Sequence, residues 1–118
     1  KGMEFVEAAE AQIRAAARVN ADIIELHTGA YAHALDAGDN PLASQILQAL
    51  QSGAALGESL GLEVHAGHGL TFDNVKPIAA IPQVMELNIG HFIIGEAVFM
   101  GLEPAIQKMA TLIKEARA

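Results

Sequence analysis

Residues 21–29 read Ala21-Asp22-Ile23-Ile24-Glu25-Leu26-His27-Thr28-Gly29, and this stretch decides the fold class. The apolar run from Ile23 to Leu26 is too short for a helix and ends in a glycine turn, which is typical of a buried strand in a parallel sheet. The runs 62–67 and 85–89 have the same form. Segments of helical periodicity separate the three runs. The sequence therefore predicts an α/β protein in which parallel strands alternate with helices.

The segments around the strands have the spacing of amphipathic helices. We expect helices over about 7–19, 42–60, 74–80 and 103–117, with an apolar stretch at 92–100 before the last one. Asp73 is the expected N-cap of the third helix, and Gly61 is the expected C-cap of the second. Gly53 and Gly57 lie one turn apart, which predicts that another backbone packs closely against that face. Residues 31–41 are expected to form a surface loop or part of a cover over the strand ends.

The length leaves two parallel architectures open. A complete (β/α)8 barrel needs roughly 250 residues, whereas this chain has 118. Three strands fit either an open doubly wound sheet or a portion of such a barrel. No GxGxxG follows a strand, so the dinucleotide-binding version of the open sheet has no positive support. The chain is at most one domain, or a piece of one.

Composition excludes several classes of function. The formal net charge is -7, from 14 acidic and 7 basic residues, and the basic residues are dispersed, so we expect no nucleic-acid partner. The chain has no Cys, which removes disulfides, thiolate zinc sites and thiol catalysis and fits a reducing compartment. No signal peptide or stretch of roughly 20 apolar residues is evident. We therefore expect a soluble, cytoplasmic protein without a membrane partner.

Polar residues follow each predicted strand, at the edge where parallel α/β enzymes place their reactive groups. His68 lies between Gly67 and Gly69, which leaves its imidazole accessible for proton transfer near neutral pH; a surface-loop histidine is the alternative. Glu25 should be partly buried and needs either a charged substrate or a structural ion pair with a basic residue. His27 and Asn88 are weaker candidates of the same kind.

The third strand runs into Gly90-His91 at the predicted start of a helix that has no acidic residue until Glu96. Backbone N–H groups at such a terminus can hold a phosphate without a basic side chain, and glycine allows close approach. A tight strand-to-helix turn is the alternative. His65 and His68 are three residues apart, but the glycines near them do not hold a helical geometry, so we expect no metal site.

Five strings in this order and spacing resemble the pyridoxine 5'-phosphate synthase family. The strings are Glu25-Leu26-His27-Thr28-Gly29, Ala66-Gly67-His68-Gly69-Leu70-Thr71, Asn74-Val75-Lys76, Ile78-Ala79-Ala80-Ile81-Pro82 and Glu86-Leu87-Asn88-Ile89-Gly90-His91. The resemblance extends from about Ala8 to Arg117. It implies that residues 1–118 are a single incomplete domain, the C-terminal half of a (β/α)8 TIM barrel.

The resemblance also implies an activity and a site. The family forms pyridoxine 5'-phosphate from 1-deoxy-D-xylulose 5-phosphate and 3-amino-2-oxopropyl phosphate without metal or organic cofactor, and it assembles into an octamer. By position, His68 matches the family's proton donor and Glu25 its transition-state-stabilising carboxylate. Gly69, Gly90 and His91 match residues that bind the amino-oxopropyl phosphate or the product phosphate.

The family's catalytic base histidine, a second glutamate and substrate-binding arginines have no counterpart in this chain. We therefore expect the isolated chain to be inactive, and residues 1–5 fit poorly where the family has another strand. Two alternatives stay open. One is another phosphate-binding TIM-barrel isomerase or lyase, and the other is a non-catalytic half-barrel that binds or oligomerises.

Overall fold

A computed structural model describes the backbone of residues 3–6 and 9–118, with side chains from residue 9 onward. The described elements are β1 (Met3–Val6), α1 (Glu10–Arg18), β2 (Ile23–His27), α2 (Gly29–Asp36), α3 (Asn40–Ser59), β3 (Glu63–Gly67), α4 (Val75–Ala79), β4 (Val84–Asn88), α5 (Gly90–Met100) and α6 (Leu102–Ala116). The prediction of parallel strands alternating with helices is confirmed. No helix within the described residues is long and apolar enough to cross a membrane.

The four strands form one parallel sheet in the order β1-β2-β3-β4, which is also their order along the chain. Phe5 pairs with Glu25, Glu25 with His65 and His65 with Glu86, so one row of residues crosses the sheet. The expectation that residues 1–5 fit a strand poorly is wrong for the described part, because Met3–Val6 is β1. Residues 1 and 2 lie outside the described residues.

The two faces of the sheet differ in polarity because side chains alternate along each strand. The first face packs against the helices, and its residues are buried and apolar: Ile24, Leu26, Val64, Ala66 and Val84. The second face carries the polar row of Glu25, His65 and Glu86. Buried apolar strand residues therefore form the core with the helices, and the second face presents its polar groups to the pockets described below.

Helix α2 was not predicted. The segment 31–41 was expected to be a surface loop or a cover, but residues 29–36 form a helix whose Tyr31 is buried. The connection to α3 is consequently short. Asp39 caps α3 by accepting the backbone N–H of Leu42 at 3.1 Å, with Pro41 in the first turn. The predicted start of α1 at Glu7 lies outside the described residues, and the helix is described from Glu10.

Helix α3 forms over the predicted segment, but its C-cap residue is Leu60 rather than the predicted Gly61. Leu50 and Ala54 are buried, and Gly61 follows the C-cap residue Leu60 with φ +83. A Cβ on Gly57 would lie 2.8 Å from Ile24 Cδ1 and 3.1 Å from Val64 Cγ2. The close neighbours of Gly57 are therefore side chains of β2 and β3, rather than another backbone.

The predicted N-cap of α4 is wrong. The helix begins at Val75 with Asn74 as the N-cap residue, so Pro77 stays in the first turn. The backbone N–H of Asp73 instead donates to the hydroxyl of Thr71 at 3.2 Å, inside the loop. The apolar stretch after β4 is α5, which exposes large apolar side chains, and α6 buries Met109.

Candidate active site

A cavity of about 660 Å³ opens at the carboxyl ends of β2, β3 and β4. Its lining residues come from those three strand ends and the segments that follow them: Glu25, His27, His68, Gly69, Leu70, Thr71, Asn88, Ile89, His91 and Phe92. Four of the five predicted site residues therefore lie around one space. The fifth, Gly90, is adjacent to His91 but is not among the lining residues.

Glu25 is 9% exposed and borders both this cavity and a smaller one on the polar face of the sheet. It has no hydrogen-bond or ion-pair partner among residues 9–118. The structural ion pair that the sequence left open is thus not formed within the described part of the chain. Because Glu25 borders the cavity and has no such partner, its carboxylate is free to interact with a polar or cationic ligand.

His68 has φ 91, in the left-handed region that non-glycine residues rarely adopt, and Gly69 follows with φ 77. The two consecutive left-handed residues turn the chain sharply after β3 and leave His68 exposed to the cavity. Backbone strain of this kind is concentrated at functional sites, where surrounding contacts hold it in place. The local conformation therefore favours a functional role for His68 over that of an ordinary surface-loop histidine.

The ring of His68 stacks on the ring of His27, with centroids 4.3 Å apart and planes at 27°. His27 Nδ1 accepts the backbone N–H of Gly29 at 3.2 Å. Because that nitrogen is an acceptor, the bonded form of His27 is the neutral ring with its proton on Nε2. The ring of His27 thus packs against the imidazole of His68 at the cavity.

Gly29 is required by this pair of rings. A Cβ at Gly29 would lie 2.6 Å from His27 Cε1 and 2.9 Å from His68 Cδ2. Sequence reasoning treated Gly29 only as a turn residue and missed this packing role. The sequence did contain a signal for it: His27 precedes Gly29 by two residues, and His68 follows the neighbouring strand.

The N-terminus of α5 lies beside the cavity. Ile93 makes the first intrahelical bond, to the carbonyl of Ile89 at 3.1 Å, so the N–H groups of Gly90, His91 and Phe92 precede it. The first turn has no acidic residue, and a Cβ on Gly90 would meet nothing within 4 Å. Open space and helix amides together provide an environment suited to an anion.

His65 lines the smaller cavity on the polar face of the sheet, whereas His68 lines the larger one. The Nε2 of His65 contacts the carboxylate of Glu63 and lies 3.3 Å from that of Glu86. The three ligand atoms lie within 4.8 Å of one another, making this the group in the described part of the chain whose donors converge enough to hold a metal ion. The carboxylates already satisfy the buried imidazole, since a ring nitrogen can donate to them.

The fold and the site first define the class: a parallel α/β protein with a carboxylate and histidines gathered at the carboxyl ends of its strands. Residues 2–115 match the family described as pyridoxal phosphate biosynthesis protein PdxJ, and the chain belongs to that family.

Curated relatives named pyridoxine 5'-phosphate synthase agree with this assignment. The protein from Ruegeria pomeroyi is 58% identical over 114 residues, which cover 97% of this chain and 46% of the relative. The protein from Caulobacter sp. strain K31 is 58% identical over 113 residues, covering 96% of this chain and 45% of the relative. That from Zymomonas mobilis is 53% identical over 114 residues, covering 97% and 43%. The chain thus spans less than half the length of these relatives.

Proposed function

We propose that this chain is the C-terminal half of a (β/α)8 barrel that acts as a pyridoxine 5'-phosphate synthase. The sequential strand order supports the barrel, because a doubly wound sheet reverses its order at a switch point. β1 and β4 each have a single strand neighbour among the described residues, and pairing both edges with further strands would close a barrel. The polar face of the sheet would then line the interior.

The observation that carries the function is the meeting of Glu25, His68, Gly69 and His91 around one cavity. The proposed reaction joins 1-deoxy-D-xylulose 5-phosphate to 3-amino-2-oxopropyl phosphate, releasing inorganic phosphate and water. Imine formation and dehydration require a positioned proton donor, and the exposed ring of His68 suits that role. The carboxylate of Glu25, which has no partner among residues 9–118, would stabilise positive charge that develops on the nitrogen in the transition state.

Phosphate binding is assigned to Gly69, Gly90 and His91. The amides at the start of α5 provide N–H donors, and the absence of a side chain at Gly90 leaves them accessible. No metal or organic cofactor enters this proposal, because the reaction proceeds by proton transfers and loss of water. The base histidine, the second carboxylate and the arginine contacts are assigned to the other half of the barrel.

We also infer self-association, up to the octamer that the family resemblance implies. Helix α5 exposes Ile94, Val98 and Phe99 at 69%, 80% and 87%, and α6 exposes Leu102 and Ile106. We call these five residues the α5/α6 apolar face. Exposed apolar side chains on two helices that contact each other are typical of protein interfaces.

The test uses a chimera in which this chain replaces the matching segment of the Ruegeria pomeroyi relative. We expect the chimera to form pyridoxine 5'-phosphate from the two substrates, detected by mass spectrometry, and the isolated 118-residue chain to form none. His68→Asn in the chimera should lower kcat by about 100-fold or more, because the ring that donates the proton is lost.

His33→Asn is the matched control, since His33 is exposed on α2 and does not line the cavity. Turnover by His68→Asn equal to that of the control would exclude the proton-donor role. An intact, folded chimera that binds phosphate but makes no product would favour another phosphate-binding barrel enzyme. A folded chimera with neither property would favour the non-catalytic module.

A further inference from the structure

The loop that carries His68 is held by the N-cap residues of two helices. Thr28, at the N-cap of α2, is fully buried, and its hydroxyl donates to the carbonyl of His68 at 2.6 Å. Asn74, at the N-cap of α4, is 6% exposed, and its amide donates to the carbonyl of Gly69 at 3.1 Å. Both left-handed residues thus have their carbonyls held by a buried side chain.

Neither side chain caps its own helix. Thr and Asn are favoured at N-caps because their oxygen accepts an N–H of the first turn, and losing that bond destabilises the helix. Asp39 makes the ordinary cap at α3, where its carboxylate accepts the N–H of Leu42. At α3 the N-cap side chain therefore bonds its own helix. At α2 and α4 the N-cap side chains bond the carbonyls of the loop that carries His68 instead. Local rules that are broken in this way are expected at functional sites.

Further bonds fix the two N-cap residues themselves. The backbone N–H of Thr28 donates to the carbonyl of Gly67 at 2.8 Å, at the end of β3. Asn74 Oδ1 accepts the N–H of Thr71 at 2.8 Å, and the Asn74 carbonyl accepts the hydroxyl of Tyr31 at 3.1 Å. The loop is therefore anchored to β3, α2 and α4 at once.

We propose that Thr28 and Asn74 are positioning residues that hold His68 and Gly69 in their left-handed conformation and so direct the His68 imidazole into the cavity. This role rests on the proposed function of His68 as proton donor. The Thr28 hydroxyl is the decisive group, because its bond to the His68 carbonyl opposes relaxation of that residue out of the left-handed region. Displacing a proton donor by a fraction of an ångström slows the chemical step more than it weakens substrate binding.

The chimera defined above tests the role with paired substitutions at Thr28. Thr28→Val keeps the shape of the buried side chain and removes the hydroxyl, so kcat should fall about tenfold or more with little change in KM. Thr28→Ser keeps the hydroxyl and loses a methyl group, so kcat should stay within about threefold of the parent although the buried site is packed less well. The valine variant should therefore lose more activity than the serine variant, whereas the serine variant should lose more in Tm through poorer packing.

Two more variants complete the design. Asn74→Asp keeps the oxygen that accepts the Thr71 N–H but lacks a donor to Gly69, so it should also lower kcat. Ser59→Ala is the matched control, because it removes a hydroxyl-to-carbonyl bond of 2.7 Å at the far end of α3 and should leave kcat unchanged. Equal kcat for Thr28→Val and Ser59→Ala, or equal losses for Thr28→Val and Thr28→Ser, would overturn the proposal.

Crystal structures of the unsubstituted and Thr28→Val chimeras separate this proposal from the proposed function. We expect His68 to leave the left-handed region or its ring to leave the stack on His27 in the valine variant. That result would support positioning even if the unsubstituted chimera made no product, in which case the proposed function alone would fail. An unchanged His68 in the valine variant would overturn the positioning role whatever the turnover.

Discussion

Tyr31 ties helix α2 to the start of α4 through one hydroxyl. Its O–H donates to the carbonyl of Asn74, and the side chain is buried. Burial disfavours the charged phenolate and raises the pKa of Tyr31 above its ordinary value of 10.0. Tyr31 thus makes both a structural hydrogen bond and a pH-dependent contribution to stability. Its partner Asn74 bonds the loop that carries His68.

We predict that Tyr31→Phe in the chimera costs about 1 kcal/mol of unfolding free energy at pH 8, where the hydroxyl is protonated and bonded. Above pH 10 the unfolded Tyr31 ionises while the folded one resists, so this contribution decreases as the pH rises through the folded pKa. The difference between parent and variant in urea unfolding should therefore narrow from pH 8 to about pH 11. Lysines titrate over the same pH range in both proteins, so their contribution cancels in the difference between the two unfolding free energies. A difference that stays constant would contradict the effect of burial.

At the scale of elements, the packing of α3 against β2 and β3 sets the position of the strands whose ends form the site. Gly57 allows this contact, because its face of the helix lies against Ile24 and Val64. Both of those side chains are buried in the core. The close packing of α3 against the sheet therefore depends on the absence of a side chain at Gly57.

We predict that Gly57→Ala destabilises the chimera by about 1–3 kcal/mol, because overpacking against Val64 exceeds the gain in helix propensity. Ser52→Ala is the matched control on the exposed side of the same helix, and it should stabilise by about 0.5 kcal/mol or less. Urea unfolding measures both. If Gly57→Ala were as stable as the control, the core would have room at this contact and the argument would fail.

At the scale of the whole molecule, two surfaces are proposed to take part in different contacts: the polar face of the sheet and the exposed apolar face of α5 and α6. In the proposed barrel, the polar face and the two sheet edges would contact the other half, whereas the α5/α6 apolar face would contact a neighbouring subunit. Phe99 is its most exposed large side chain, at 87%.

We predict that Phe99→Glu lowers the mass of the chimera in sedimentation experiments, because a charge at the centre of an apolar contact must be desolvated on association. Gln48→Glu supplies the same change in charge on the exposed surface of α3 and should leave the mass unchanged. Identical masses for the two variants would exclude this face as a subunit contact.

The errors of the sequence-based predictions have physical causes. Helix α2 begins at Gly29 and has little separation of polar and apolar residues, so its pattern does not distinguish it from a loop. Asp73 and Asn74 are about equally favoured as N-cap residues by type, so the sequence does not separate them. In the structure α4 begins after Asn74, whose side chain bonds to Gly69 and Thr71. In addition, the hydroxyl of Tyr31 in α2 donates to the carbonyl of Asn74, and a local sequence pattern does not contain a contact between such distant residues.

The sequence by itself determined the parallel α/β class, the strand exits and the candidates His68, Glu25, Gly90 and His91, because hydrophobic periodicity and glycine positions act locally. Gly69 became a candidate through the family resemblance. Only the tertiary structure decided that Glu25 lacks a partner in the described chain, that His27 and His68 stack, and that Thr28 and Asn74 hold the loop. These facts depend on segments separated by about forty residues meeting at one edge of the sheet, and that meeting is a product of strand register and helix packing.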